Sequence, residues 1–306
     1  MISVVIPVYN EEKNVSELHR ELLGVLKNMH QEFEIIFVDD GSKDGTFTEL
    51  KKLKSVKVIS FLRNFGKSQA LMAGFEEAGG ERIITLDGDL QDDPKEIPRF
   101  LESMNAGADL VCGWKVNRLD DPSKIFLSKI ANGVTRFFTG VEIHDMNCGF
   151  KGYTKEFAKN LKLHGDLHRY IPALAAYDGF RVAETPVNHR RRLHGNSKYG
   201  FFRVFSGFFD FLTVMFLRKY IDRPLHFFGP LGLTSFFAGF VILFYLTWVK
   251  LAYHIAIGSR PLLSLGVLLV FVGIQFFSLG LIGDLVVRKN GNERRNYIIR
   301  ERVSNL

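Results

Sequence analysis

Short apolar runs alternate with stretches of helical period through the first 115 residues, and beyond residue 225 the apolar runs become long and unbroken. Residues 2–9 (ISVVIPVY), 34–38 (EIIFV), 56–61, 82–86 and 109–113 read as buried strands. Between them, 13–29 carries Val15, Leu18, Leu22 and Val25 at helical spacing, 67–78 is a second helix, and 94–105 is a third that opens on Pro94. This alternation predicts an α/β domain with a mainly parallel, doubly wound sheet flanked by helices. Sheets of that kind bind their ligands beyond the carboxyl ends of the strands. The residues expected there are Asp39 and Asp40 after the second strand, Arg63, Asn64 and Lys67 after the third, and Asp87, Asp89 and Gln91 after the fourth. Acids and bases meeting at one edge suit a phosphate ligand held through a metal.

The C-terminal pattern is different. Residues 227–249 and 261–283 are each 23 residues without a charge. At about 1.5 Å per residue, either can cross a hydrocarbon core about 30 Å thick. The connector 250–260 is short, which predicts a transmembrane hairpin. Gln275 is the one amide or ionisable side chain inside the two stretches, and it suits a helix–helix hydrogen bond better than a transport path. Gly232, Ser235 and Gly239 permit close helix packing and leave a homo-oligomer open. Ahead of the hairpin, Phe201, Phe202, Phe205, Phe208, Phe209, Phe211 and Phe216 surround a polar stripe of Arg203, Ser206, Gly207, Asp210 and Thr213. That is an amphipathic helix suited to a membrane interface. Residues 122–140 repeat the pattern more weakly.

Composition sharpens this division. Apolar residues make up 46% and charged residues 24%, which excludes a disordered or collagen-like chain. Of 29 Phe, 16 lie between positions 201 and 277. The net charge of +7 is concentrated in 181–203 (+5), 218–223 (+2) and 288–306 (+4), so the remainder is mildly acidic. A nucleic-acid-binding surface is therefore disfavoured against a local anion site and a membrane-facing patch. Arg218, Lys219 and Arg223 precede the hairpin, and Arg288, Lys289, Arg294 and Arg295 follow it. The positive-inside rule then places the N-terminal domain and the tail in the cytoplasm. Cys112 and Cys148 are expected as free thiols of a reducing compartment, and the strand-like start predicts no signal peptide.

Common nucleotide motifs are missing. No G-x-G occurs, and Phe61 stands where a phosphate loop ending in Gly66-Lys67-Ser68 needs glycine. What remains is Asp87-Gly88-Asp89 at a strand end. Two carboxylates two residues apart can grip a hard cation, and Mg²⁺ is commonly shared between one or two carboxylates and substrate phosphates.

The ordered segments PVYNEE, VDDGSKDGT, RNFGKSQA, LDGDLQDDP, NCGFKGY and HRRRLHGNSKYG resemble family-two glycosyltransferases of the GT-A fold. Within that family they are most similar to the polyprenyl-phosphate glycosyltransferases, including dolichyl-phosphate mannose synthase and bactoprenol glucosyltransferases. The resemblance covers about residues 1–199, and the two-span layout matches the bactoprenol branch. It implies a GT-A catalytic domain over 1–198, an amphipathic juxtamembrane helix over 199–224, the hairpin over 225–287 and a basic cytoplasmic tail over 288–306. It further implies that Pro7, Tyr9, Glu11 and Asp40 bind the nucleotide, while Asp39 holds the loop. Arg63 and Lys67 face the diphosphate or serve as structural ion-pair residues. Asp87, Gly88, Asp89 and Gln91 then hold Mg²⁺ or Mn²⁺ with the diphosphate, while Asp92 and Asp93 divide between the site and the cap of the following helix. Asp145 matches the acid before the G-F-R segment, with Lys151 where Arg is common, and is either a base or a positioning group. Arg190, Arg192, Ser197 and Lys198 match the basic loop that closes over phosphates.

The reaction implied is inverting transfer of one sugar from a nucleotide-sugar to polyprenyl phosphate. The bactoprenol resemblance points to UDP-glucose first, with GDP-mannose and other UDP-sugars behind it. Cellulose and hyaluronan synthases carry Q-x-x-R-W, which no glutamine here begins. Other lipid-linked acceptors are the nearer rivals. A membrane scaffold or transporter subunit accounts for the hairpin but not for the acidic strand ends.

Overall fold

The computed structural model describes residues 1–116, 133, 143–188, 190, 224–254, 256–289 and 299–304. The expected helices over 122–140 and 199–224 lie outside this set, apart from single positions. The described residues form two units, the sheet with its helices and the apolar hairpin.

In the first unit, the strands expected from apolar runs form β1 (Ile2–Val8), β2 (Phe33–Asp39), β3 (Lys57–Phe61), β4 (Arg82–Thr85) and β5 (Leu110–Lys115). Helices α1 (Val15–Asn28), α2 (Thr46–Lys52), α3 (Lys67–Glu77) and α4 (Ile97–Asn105) connect them. Each helix presents a stripe to the sheet. Val15, Leu18, Leu22 and Leu26 of α1 are buried, as are Ile97, Phe100, Leu101 and Met104 of α4. Phe100 stacks on Phe150 at 4.3 Å between ring centroids, a contact that joins α4 to the segment before the sixth strand.

The sheet is mainly parallel, as expected, with two antiparallel strands added to it. Strands β6 (Lys151–Thr154) and β7 (Val182–Val187), with helices α5 (Lys155–Asn160) and α6 (Ile171–Tyr177), complete this half. A last strand, β8 (Ile299–Ser304), lies in what was expected to be a basic tail. The strand order is β7-β5-β6-β4-β1-β2-β3-β8. The block β4-β1-β2-β3 is parallel, β6 runs antiparallel between β4 and β5, and β8 closes the far edge antiparallel to β3. In the parallel block Val8 pairs with Asp39 and Val5 with Thr85. The chain therefore leaves β1, β2 and β4 at one edge, where Tyr9, Asp40 and Asp87 follow.

The second unit consists of α7 (Leu225–Tyr253) and α8 (Pro261–Lys289). The apolar stretches of 29 and 26 residues are long enough to cross a hydrocarbon core about 30 Å thick. Their large side chains point outward, with Phe244, Trp248, Leu251, Phe271 and Leu285 each more than 60% exposed. The backbones meet through small residues: a Cβ on Gly232 would lie 2.8 Å from the Gly273 carbonyl oxygen, and one on Gly239 would lie 2.6 Å from that of Gly266. Expected close packing at Gly232 and Gly239 is thus realised inside the hairpin. The Asp284 carboxylate accepts the Leu225 N–H at 3.3 Å and caps the start of α7.

Candidate active site

Three loops at the carboxyl edge are knitted together before any ligand is considered. After β1, Asn10 adopts a left-handed φ of 55°; its N–H donates to Ser42 Oγ and its Oδ1 accepts the Lys43 N–H, both at 2.8 Å. The Glu11 N–H donates to Thr46 Oγ1 at 2.8 Å. These bonds hold Pro7, Tyr9 and Glu11 beside the β2 loop, and all three keep partial exposure.

Asp39 holds its loop as expected, taking the Ser42 N–H at 3.0 Å and the Ser60 hydroxyl at 2.9 Å. Asp40 does the same for the next loop. Its two carboxylate oxygens accept the N–H groups of Phe65 and Gly66 at 2.7 and 2.9 Å. Burial raises its pKa from 3.8 to about 6, against the opposing pull of those two N–H groups. A raised carboxyl pKa means the folded state holds the proton more tightly than the unfolded chain. The stabilisation is therefore present at low pH and lost as pH rises through about 6. We expect wild type to lose stability relative to Asp40→Asn between pH 4 and 7 in denaturant titrations. A constant difference across that range would show that Asp40 titrates normally.

Arg63 is exposed and lies over the Phe65 ring at 4.6 Å. Lys67, the first residue of α3, is turned to the β4 loop instead, where its Nζ meets Asp87 Oδ1 at 2.5 Å. Burial alone would raise the Asp87 pKa, but Lys67, with Lys115 and Lys151 behind it, outweighs burial and holds it down at about 2. Close approach fixes this carboxylate. A Cβ on Gly149 would lie 2.5 Å from Asp87 Oδ1, and one on Gly88 would lie 2.6 Å from Val8 Cγ1. Only glycine fits at either place without a shift. Asp89 accepts the Gln91 N–H at 3.2 Å across Leu90, which is buried with a left-handed φ of 65°. For a bulky residue that backbone is uncommon and strained.

The next two acids are structural. Asp92 is 2% exposed; it takes the Asp87 N–H at 3.1 Å and pairs with Lys115 at 3.5 Å. Asp93 caps the turn 94–96 and meets the Arg190 guanidinium at 2.6 Å. Gln91 offers its carbonyl to the Arg190 N–H at 2.9 Å. Arg190 also grips both oxygens of Glu21, at 2.8 and 3.0 Å. Its guanidinium is thus spent on two carboxylates, so the geometry places it as an anchor of the basic loop. Arg192, Ser197 and Lys198 lie outside the described residues.

Asp145 is 2% exposed, and its N–H donates to Glu184 Oε1 at 3.0 Å. Lys115 and His168 join this neighbourhood beside the expected Lys151. Lys115 is held charged by Asp92, Asp87 and Asp145, which together outweigh its burial. Lys151 is buried and bonds the Cys148 carbonyl. His168 Nδ1 pairs with Ser68 Oγ at 3.0 Å, and burial drives its pKa well below 6.5, so it is neutral. Lys67, Asn147, Gly149, Lys151 and His168 line one small cavity. The strand-ending Lys115 was the one signal available, since its acid partners are distant in sequence. Cys112 and Cys148 are free and buried, and burial pushes both thiols up to about 12, so neither is a nucleophile at neutral pH.

Among the described residues no group of three or more His, Cys, Asp and Glu is disposed to hold a metal. Asp87 and Asp89 nonetheless fit a hard cation of the kind completed by a bound diphosphate, because one or two carboxylates suffice there.

Residues 3–162 match the glycosyl transferase family 2 domain, over half of the chain. The chain belongs to glycosyl transferase family 2. It is 38% identical to dodecaprenyl-phosphate galacturonate synthase of Rhizobium johnstonii, across 98% of this chain and 92% of that protein. It is 34% identical to undecaprenyl-phosphate 4-deoxy-4-formamido-L-arabinose transferase of Pseudomonas paraeruginosa, across 96% of this chain and 87% of that one. Among solved structures, glucosyl-3-phosphoglycerate synthase of Mycobacterium tuberculosis, in complex with Mn²⁺, UDP and glucosyl-3-phosphoglycerate, shares the fold. The TM-score is 0.57 at 17% identity, covering 71% of this chain and 79% of that one. This family 2 protein is thus a glycosyltransferase built on the GT-A sheet. The two polyprenyl-phosphate relatives are named for galacturonate and a formamido-arabinose, so the glucose expected from the bactoprenol branch has no support from them.

Proposed function

We propose that this glycosyltransferase moves one sugar, with inversion, from a UDP-linked hexuronate to a polyprenyl phosphate at a cytoplasmic membrane face. The observation that carries the reading is that similarity to a dodecaprenyl-phosphate galacturonate synthase continues through the apolar hairpin and spans 98% of the chain.

In this reading Pro7, Tyr9, Glu11 and Asp40 border the nucleoside, and Arg63 and Lys67 meet the diphosphate. Asp87 and Asp89 hold Mg²⁺ or Mn²⁺ together with the diphosphate. A bound divalent ion there supplies charge neutralisation on the leaving group. The acceptor's phosphate oxygen forms the new bond at the anomeric carbon, and the bond to the diphosphate oxygen breaks with its electron pair. A phosphate monoester has a second pKa of about 6, so the nucleophile is already deprotonated and no base is required. Asp145, whose N–H is held by Glu184, then acts as a positioning group, not as a proton acceptor. Arg192, Ser197 and Lys198 receive the acceptor phosphate, on a loop anchored by Arg190.

The hairpin would hold the site at the bilayer surface, where a polyprenyl phosphate presents its head. Pairing of β8 with β3 supports placing both flanks of the hairpin on one side of the membrane, because they contribute strands to one sheet. The basic flanks favour the cytoplasm for that side.

The test is a donor panel on the purified full-length protein with polyprenyl phosphate as sole acceptor. UDP-galacturonate should give a polyprenyl-phosphate-uronate by mass spectrometry, and EDTA should stop it. Turnover with UDP-glucose or GDP-mannose but not with the uronate would overturn the donor assignment. No transfer to polyprenyl phosphate from any donor in the panel, while another lipid acceptor is used, would overturn the acceptor.

A further inference from the structure

Asp87 is held in place without Lys67. Its N–H is bound by Asp92, and its carboxylate packs onto the bare Cα of Gly149. Lys67 meets that carboxylate through its ammonium. It reaches Asp87 on a flexible four-carbon stem from the first turn of α3, and its side chain is 30% exposed. The other cations near Asp87 are fixed elsewhere. Lys115 is paired with Asp92, and Lys151 is buried on the Cys148 carbonyl. A divalent cation and an ammonium drawn to the same carboxylate oxygen repel one another strongly at that separation. An arriving diphosphate offers the ammonium several new anionic oxygens at the same moment.

We propose that Lys67 is a placeholder cation: it occupies Asp87 until a metal–diphosphate unit arrives, then transfers its ammonium from the carboxylate to the diphosphate. The exchange makes metal and nucleotide binding mutually dependent. Metal alone must displace Lys67 with nothing to receive it. Nucleotide alone leaves Lys67 shared between two anions. Only together do all charges find partners, so the site does not load metal without its donor. This inference rests on the nucleotide-sugar reading above, but it does not depend on which sugar or acceptor is used.

The experiment measures Mn²⁺ binding by electron paramagnetic resonance on the full-length protein in detergent, with and without UDP, for wild type, Lys67→Met, Lys67→Arg and Lys43→Met. In wild type, UDP should tighten Mn²⁺ binding by about tenfold or more. Lys67→Met should bind Mn²⁺ more tightly than wild type when UDP is absent, and its gain from UDP should shrink to about twofold. Lys67→Arg keeps the charge and should retain most of the coupling. Lys43→Met removes an exposed charge of the β2 loop, outside the proposed site, and should leave Mn²⁺ binding without UDP unchanged. The inference fails if Lys67→Met keeps the wild-type gain, or if Lys43→Met tightens Mn²⁺ as much as Lys67→Met does. It also fails if wild type binds UDP yet takes up Mn²⁺ equally without it. A wild-type protein that binds no UDP at all would overturn the nucleotide reading, and the inference with it.

Discussion

Replacing Asp89 by Ala is expected to lower turnover by about 10³-fold while the protein folds and inserts normally, in line with losing one preorganised electrostatic contact to a developing charge. The expectation comes from how unequally the acids of the β4 loop are employed. Asp92 and Asp93 are bound into the scaffold by Lys115, Arg190 and backbone N–H groups. Asp87 is wedged against Gly149 and bound to Lys67. Asp89 is half-exposed, and it accepts the Gln91 N–H at 3.2 Å. Removing it should therefore cost chemistry more than stability. Asp92→Ala should do the reverse, leaving Lys115 buried without its pair and unfolding the site. Initial rates with the best donor, read beside melting temperatures, separate the two variants. Near-normal turnover in Asp89→Ala would remove the metal assignment from this loop.

Much of this site could be read before the fold was known. Strands β2 and β4 carry apolar runs that lead into acids, β1 leads into Tyr9, Asn10 and Glu11, and a parallel sheet brings such ends to one edge. The remaining strands lack that signature. Lys151–Thr154 is four residues with a lysine and a glycine, and it becomes a strand only because β4 and β5 flank it. Val182–Val187 contains Glu184 and Pro186, and Glu184 is kept there to take the N–H groups of His144 and Asp145. Pairings such as Lys115 with Asp92, or Ser68 with His168 a hundred residues away, are products of the topology, and no local spacing announces them. The same limit explains Arg190. Its place in a run of basic residues suggests a phosphate ligand, while Glu21 and Asp93, which hold it, sit on α1 and the β4 loop.

Ending the chain at residue 298 should destabilise the catalytic domain, although those last eight residues contain none of the proposed site. IRERVS has alternating charge and reads as a solvated tail. Charges of that sort are also what an edge strand carries, because they discourage pairing with other chains. Here the segment runs antiparallel to Lys57–Phe61, with Lys57 opposite Ser304 and Ile59 opposite Arg302. Without it, β3 becomes an open edge whose Val58, Ile59 and Phe61 are core residues. Net hydrogen-bond contributions of about 1 kcal/mol each, partly offset by the entropy of ordering the strand, give a loss of about 2–3 kcal/mol. For a domain of this size that is a fall of about 5–10 °C in melting temperature, with concentration-dependent aggregation through the exposed edge. The β3 edge also leads directly into Arg63 and Lys67, so donor affinity should weaken before the domain melts. Differential scanning fluorimetry and light scattering on the truncated and full-length proteins test both effects. Equal melting temperatures would mean that β8 contributes nothing to the sheet, and would remove the support it lends to placing both hairpin flanks on one side of the membrane.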